Sequence, residues 1–382
     1  MADASRERTY GQWWDWDGPF VTLPIDEVRA FGEAAYRLAG ASAEDAAFLF
    51  GNGLDKAIQG DHARGLVYFP NQIRGALAGT TDLKAPIGVV RERGATAVVS
   101  GGKTAPSGLV CREAMKLAIA KAREFGVGIV GATGGAGLLT PFVMMAVEAG
   151  MVGIVLTQTG PAVAPIGGYQ PLLGNGPLAV GIPSRNRDPV VLDMSFTQSS
   201  ASGVLLSASQ GVQIPPGLLL DQHGEPSTDP RDLTGEAHEK AGSLTVTGSL
   251  TPLGGGHKGF AMLFVIGLLA SVLSDTSPPW ELAGDVTERG THGSVLIAID
   301  AESMNPNDLP GRVDAFIDKV TGAPRKDGVE EILYPGQRSQ QLKRERKAGG
   351  MVDLPRPHVE AMVKLAGEIG LDLPPSFVTA GA

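Results

Sequence analysis

From about residue 85 the chain alternates short β-branched runs with helical patterns, and this alternation limits the fold more than any other feature. Gly88–Val90, Ala95–Val99, Val127–Val130, Gly153–Thr157, Leu178–Ile182 and Val190–Leu192 read as strands. Gly108–Arg123 and Phe142–Ala149 read as helices between them. Later the pattern returns as a strand at Ser294–Asp300 and a helix at Arg312–Val320, then a basic segment, Arg338–Lys347, and a last helix near His358–Ile369. Strands separated by helices place the chain in the α/β class.

Ahead of this region the pattern is helical. Ile25, Val28, Phe31, Ala35 and Leu38 recur at helical spacing behind Pro24, and Ser42 with Asp45 caps a second helix over Ala46–Leu54. The two predict a helical hairpin. A polar, glycine-bounded stretch, Gln59-Gly-Asp-His-Ala-Arg-Gly65, follows as a loop carrying reactive side-chain types. Ser207–Ser249 is polar and turn-rich and reads as a surface excursion.

At 382 residues and roughly 150 per domain, two or three domains or one interwoven fold are expected. With 43% hydrophobic and 19% charged residues the chain is too apolar for disorder. A net charge of −9 repels a phosphate backbone and argues against nucleic acid as the main partner. One cysteine, Cys111, allows no intrachain disulfide, which fits a reducing, cytoplasmic location. The longest apolar run, Gly259–Leu273, has 15 residues where a bilayer needs about 20, so it is expected to be a buried core helix and no membrane is expected. No pair among the 6 histidines has helical zinc spacing, and no metal is expected. His223, His238 and His358 fall in polar segments that suit solvated side chains.

Three motifs carry possible chemistry. The cluster Gly131-Ala-Thr-Gly-Gly-Ala-Gly137 follows a strand but departs from G-x-G-x-x-G, so it reads either as a tight turn or as backbone approaching a cofactor. Gly254-Gly-Gly-His-Lys-Gly259 puts His257 and Lys258 at a helix start, where a phosphate or carboxylate suits the helix dipole; a flexible glycine hinge is the other reading. Asp193, before Met194 and Ser195 at a strand end, could hold a ribose hydroxyl or cap a helix.

In order and spacing, these pieces resemble the type 2 malate/L-lactate dehydrogenase family from about Thr22 to Pro355. The resemblance rests on Leu173-Gly-Asn-Gly-Pro-Leu-Ala-Val-Gly-Ile-Pro183, Val191-Leu-Asp-Met-Ser195, Gln213-Ile-Pro215, Asp221-Gln-His-Gly-Glu-Pro-Ser-Thr-Asp-Pro230, Gly256-His-Lys-Gly259 and Tyr334-Pro-Gly336. It implies an α/β fold of the non-Rossmann malate/L-lactate dehydrogenase type, with residues 1–84 joined by 291–382 to hold the substrate loop and 85–290 forming the NAD(P)-binding domain. It also implies a homodimer with active sites near the subunit interface, using NAD or NADP to reduce a small anionic 2-oxo acid or cyclic imino acid. Cofactor contacts are implied for Gly135, Gly137, Asn175, Asp193, Met194, Ser195, His257, Lys258 and Gln337.

Residue by residue the resemblance is incomplete. Where the family carries D-S-H-G-x-x-R, with histidine as proton donor and arginine near the substrate carboxylate, this chain has His62, Ala63, Arg64, Gly65 and, at the arginine position, Tyr68. The histidine of the family's N-S-x-H-x-G is replaced by Gly135. Ketone reduction needs a proton for the developing alkoxide, and a guanidinium with a pKa above about 12 is a poor donor. Arg64 is therefore expected to clamp the substrate anion. On an extended loop His62 would share its face and act as the acid, with Tyr68 orienting one of them. The rival expectation is a homologue that keeps the fold, and perhaps nucleotide binding, without dehydrogenase activity.

Overall fold

The computed structural model describes residues 16, 18–234, 246–282, 291–304 and 307–380. The chain enters through β1 (Phe20–Pro24), then α1 (Ile25–Leu38), α2 (Ala43–Ile58) and α3 (Phe69–Leu77). Next come β2 (Gly88–Arg93), β3 (Thr96–Ser100), α4 (Ser107–Phe125), β4 (Val127–Thr133), α5 (Thr140–Glu148), β5 (Val152–Thr157), β6 (Leu178–Ile182) and β7 (Val190–Met194). A smaller group follows: α6 (Ala201–Gln210), β8 (Leu219–Leu220), β9 (Pro226–Ser227) and β10 (Ser249–Leu250). The remainder is α7 (His257–Ser274), β11 (Gly293–Ile299), α8 (Ala301–Met304), α9 (Leu309–Thr321), α10 (Gln337–Gly349), β12 (Met351–Pro355), α11 (Arg356–Ile369) and α12 (Pro375–Ala380).

Seven strands form one mixed sheet in the order β2-β3-β4-β11-β5-β6-β7. Only β3 and β4 run parallel; the other pairings are antiparallel, unlike the parallel sheet of a doubly wound dinucleotide fold. Two glycines of β4 set the layers. A Cβ on Gly128 would lie 2.0 Å from Ala118 O in α4, and one on Gly131 would lie 2.6 Å from Leu273 O in α7. The two are three residues apart on a strand and face opposite ways, so helices cover both faces and approach closely because these positions lack side chains.

The first core joins the chain ends. β1 pairs antiparallel with β12, and Phe31, Phe50, Leu54, Ile73, Met362, Leu365 and Phe377 are buried together. The stretch before α1, which reads as an aromatic lead-in, is thus partly a strand whose partner lies some 330 residues on. The basic segment becomes α10, docked on the end of α2: Lys343 Nζ lies 2.7 Å from Asp55 Oδ2, and Arg346 Nη1 donates to Ala57 O and Ile58 O.

Three expectations change. The described part of 207–249 is no mere excursion, because Ile214, Leu219 and Leu233 are buried in a core of their own with Val163, Val204 and Leu250; short strands hide their apolar residues among turn signals. β11 comes from beyond residue 290 yet fills the middle of the sheet. The apolar helix α7 is only half buried. Gly259, Leu263, Ile266, Gly267 and Ala270 pack inward, while Met262, Val265, Leu269 and Val272 are exposed. At 18 residues α7 is long and apolar enough, by length and composition, to cross a bilayer.

Candidate active site

β4 and β5 end, and β11 begins, at the same edge of the sheet: Thr133 faces Gly293 and Thr157 faces Ser294. Leu178 at the start of β6 faces Met194 at the end of β7 there too. This edge gathers most of the sequence-expected residues. The glycine loop carrying Gly135 and Gly137 leaves β4 here, with Gly135 against the His292 ring. Thr157 Oγ1 and Ser294 Oγ accept from Ala136 N at 3.2 and 3.1 Å, tying the loop to β5 and β11. Asn175 Oδ1 accepts from Thr159 Oγ1, and Asn175 O accepts from Phe196 N at 3.0 Å, which sets Met194 and Ser195 beside it.

α7 starts at the same place. Phe196 O accepts from Leu253 N, and Gln198 Oε1 from Gly254 N. Gly254 and Gly255 have φ of +71° and +65°, with open space where a Cβ would stand. Gly256 precedes the helix and gives it no side-chain cap, and His257 and Lys258 are exposed. Orphan helix N–H groups beside a lysine attract an anion.

Asp193 caps a helix, though not the one that follows its own strand. Its carboxylate is buried, at 9% side-chain exposure, and Lys56 Nζ lies 3.1 Å from Oδ2. Thr140 gives the same oxygen its backbone N–H at 3.1 Å and its hydroxyl at 2.5 Å, so Asp193 caps α5 from across the site. Lys56 also donates to Thr140 Oγ1 at 2.9 Å. Arg64 Nη1 stands 4.0 Å from Asp193 Oδ1, and Arg64 Nη2 lies 2.7 Å from Asp61 Oδ2. Burial alone would raise the Asp193 pKa, but the Lys56 and Arg64 charges and the Thr140 hydrogen bond hold it below the usual carboxylate value. For Arg64 burial pulls down, and Asp61 with Asp193 carries the pKa above its ordinary value. Tyr68 lies in the field of Arg64 and Asp61, and burial pushes its phenol up.

His62 does not join this cluster. Asp61 caps a turn, accepting from Arg64 N on its side chain and from Gly65 N on its carbonyl, so the loop is not extended and residues 62 and 64 do not share a face. The His62 ring packs 5.1 Å from the Phe20 ring. Its Nδ1 is buried without a hydrogen-bond partner. Burial, with Arg346 and His358 nearby, pushes its pKa down to about 4. Gln337 also stands apart, beside the outer edge of β7, where its Oε1 accepts from Tyr334 N and Pro335 O accepts from Val191 N; it lines a pocket with Arg187, Arg325 and Tyr334. His358 is buried rather than solvated, His223 is exposed, and His238 lies outside the described residues.

Sequence reasoning missed Lys56, Asp61, Thr140 and His292. For Lys56 only the structure supplies the signal. Leu49, Gly53 and Lys56 recur at helical spacing, and Gly53 sits against Gly65 O, so that stripe of α2 faces the loop and not solvent.

The sequence model of the malate/L-lactate dehydrogenase family matches residues 23–363. The L-sulfolactate dehydrogenase of Methanothermobacter thermautotrophicus is 36% identical over 326 residues, 84% of this chain and 89% of that protein. A Delta(1)-pyrroline-2-carboxylate/Delta(1)-piperideine-2-carboxylate reductase of Pseudomonas syringae pv. tomato is 27% identical over 356 residues, 92% and 98% of the two chains. The solved sulfolactate dehydrogenase of Methanocaldococcus jannaschii superposes with a TM-score of 0.78 at 26% identity, covering 92% and 98%. Fold and relatives together define an oxidoreductase of the non-Rossmann dehydrogenase type. The chain belongs to the malate/L-lactate dehydrogenase family, which implies a nicotinamide nucleotide cofactor.

Proposed function

We propose that the chain reduces a small 2-oxo acid or cyclic 2-imino acid with NADH or NADPH, or oxidises the corresponding hydroxy acid. The observation that carries this reading is the meeting of two cations, Lys56 from α2 and Arg64 from the loop after it, at Asp193 of β7, on the sheet edge that also leads to the open start of α7. Sulfolactate and malate dehydrogenases and imino-acid reductases among the relatives support the substrate class.

The residues present fit the cofactor. Gly254 and Gly255 leave open space beside an uncapped helix start, so the N–H groups of Gly256, His257 and Lys258, with the Lys258 ammonium, would hold its phosphates, and Ser195 would contact it from just after β7. When bound, the nicotinamide supplies the hydride. Arg64, 36% exposed at its side chain, binds the substrate carboxylate, with Asp61 fixing its fork. Asp193 stays ionised and keeps the Lys56 charge in place.

The chain also pairs with a second copy through α7, within the homodimer that the resemblance implies. Met262, Val265, Leu269 and Val272 form one exposed stripe, Val272 at 65%, and Trp280 stands near it in sequence at 54%. Such a stripe is unfavourable in water.

Turnover of NADH and NADPH on pyruvate, oxaloacetate, sulfopyruvate, bulkier oxo acids and cyclic imino acids tests the function. Turnover on none, with nucleotide still bound by fluorescence titration, would leave the non-catalytic homologue as the reading.

A further inference from the structure

We propose that Lys56 delivers the proton to the substrate oxygen, an assignment that rests on the reductase reading above. The geometry is that of a held donor. Its Nζ gives one N–H to Asp193 Oδ2 and one to Thr140 Oγ1, and an ammonium carries three. Among the described residues no acceptor takes the third. The Lys56 side chain is only 9% exposed, so solvent does not occupy it freely.

A purely structural role explains this arrangement poorly. Burying an ammonium and a carboxylate costs several kcal/mol per ion, recovered only in part by their attraction. The start of α5 needs an acceptor for Thr140 N, and a neutral serine or threonine would serve at lower cost. Asp193 Oδ2 instead takes three donors, while Oδ1 faces Arg64. Asp193 is thus a positioning residue: it holds Lys56 Nζ on Oδ2 while Arg64 stands against Oδ1 of the same carboxylate.

In the reducing direction the carbonyl carbon gains a hydride and the C=O π pair moves to oxygen. That oxygen takes a proton from Lys56 Nζ; an O–H bond forms as the N–H bond breaks. The oxo acid is reduced, the nicotinamide nucleotide is oxidised, and the neutral amine beside Asp193 regains its proton from water. A protonated cyclic imine already carries its proton on nitrogen, so it needs hydride alone. Lys56 therefore decides between the two substrate classes. The rival donors at this edge are His292, beside Gly135, and the Tyr68 phenol.

The test compares wild type, Lys56→Met, Lys56→Arg, His292→Ala and Tyr68→Phe on an oxo acid and on a cyclic imino acid, with NADH or NADPH affinity measured separately by fluorescence. Lys56→Met is expected to lower kcat on the oxo acid by about 10²-fold or more, to spare the imino acid comparatively, and to leave nucleotide affinity within about 3-fold. Lys56→Arg is expected not to restore the oxo-acid rate, because a guanidinium keeps its proton. Independently of turnover, the Lys56 Nζ signal in [ζ-15N]lysine NMR of the wild-type protein with NADH is expected to shift when oxamate is added. Three results overturn the proposal: Lys56→Arg working nearly as well as wild type, His292→Ala or Tyr68→Phe abolishing kcat while Lys56→Met does not, or an Nζ signal unmoved by oxamate. A wild-type protein that reduces no substrate while binding nucleotide would sink the reductase reading itself, which the variants alone cannot do.

Discussion

Lys56 and Asp193 stand 137 residues apart in the chain, and their charges meet at 3.1 Å. One comes from the last turn of α2 in the terminal unit, the other from β7 at the border of the sheet. Their contact joins the two cores across the site. Breaking a buried pair from one side leaves the other charge uncompensated, so Asp193→Ala should destabilise the protein by about 3–5 kcal/mol. The double variant Lys56→Met, Asp193→Leu should recover most of that loss. Urea unfolding followed by tryptophan fluorescence measures both; equal losses in the single and double variants would contradict the account.

Acid should loosen the terminal core before the sheet. Burial lowers the pKa of both His62 and His358 to about 4, against about 6.5 in an unfolded chain. The unfolded state therefore binds more protons below about pH 6.5, and stability present above that value drains away as pH falls toward 4. Arg346 and Asp353 face His62 with opposite signs, and Asp61 adds to the pull of Asp353. Unfolding midpoints from pH 7.5 down to 4.5 should drop in wild type and drop less in His358→Leu. A flat profile would argue against the buried neutral histidines.

His62→Ala should leave kcat within about 3-fold of wild type across pH 6–9, because its ring packs on Phe20 and away from Arg64. Arg64→Ala should raise KM by about 10- to 100-fold, the value of a charge-assisted contact to an anion. Initial-rate kinetics on the best substrate separates the two. A collapse of kcat in His62→Ala would restore it as the acid.

The exposed stripe of α7 should matter to assembly and not to folding. Val265→Glu with Val272→Glu should convert a dimer to a monomer on gel filtration at micromolar concentration, with little change in circular dichroism. Retention of the dimer would place the subunit contact elsewhere; a monomeric wild type that binds lipid vesicles would assign α7 to a membrane surface.

The strands and most helices are legible because each writes its own period locally: β5, β6 and β7 fall on short β-branched runs, and Ser42 accepts from Asp45 N where the cap is expected. β1 was hidden because its partner is distant and its own run is only five residues. Asp193, Ser195, Asn175 and Lys258 stood out through neighbours that break ordinary patterns. Lys56 did not, since a lysine in a last helical turn looks like a solvated cation favoured by the dipole. His62 departs from its expected place because an extended loop would put residues 62 and 64 on one face, whereas the Asp61 turn sends the two side chains apart.

β11 has a bearing on how the protein is made. β4 and β5 are both complete by residue 157, yet the strand that lies between them begins at Gly293. A chain emerging from the ribosome N-terminus first therefore carries two open strand edges, one strand-width apart, for the time needed to add more than a hundred residues. Such edges invite pairing with other nascent chains. Translation stalls or truncations before Gly293 should give aggregates, and the late insertion of one strand sets when this protein becomes safe to release.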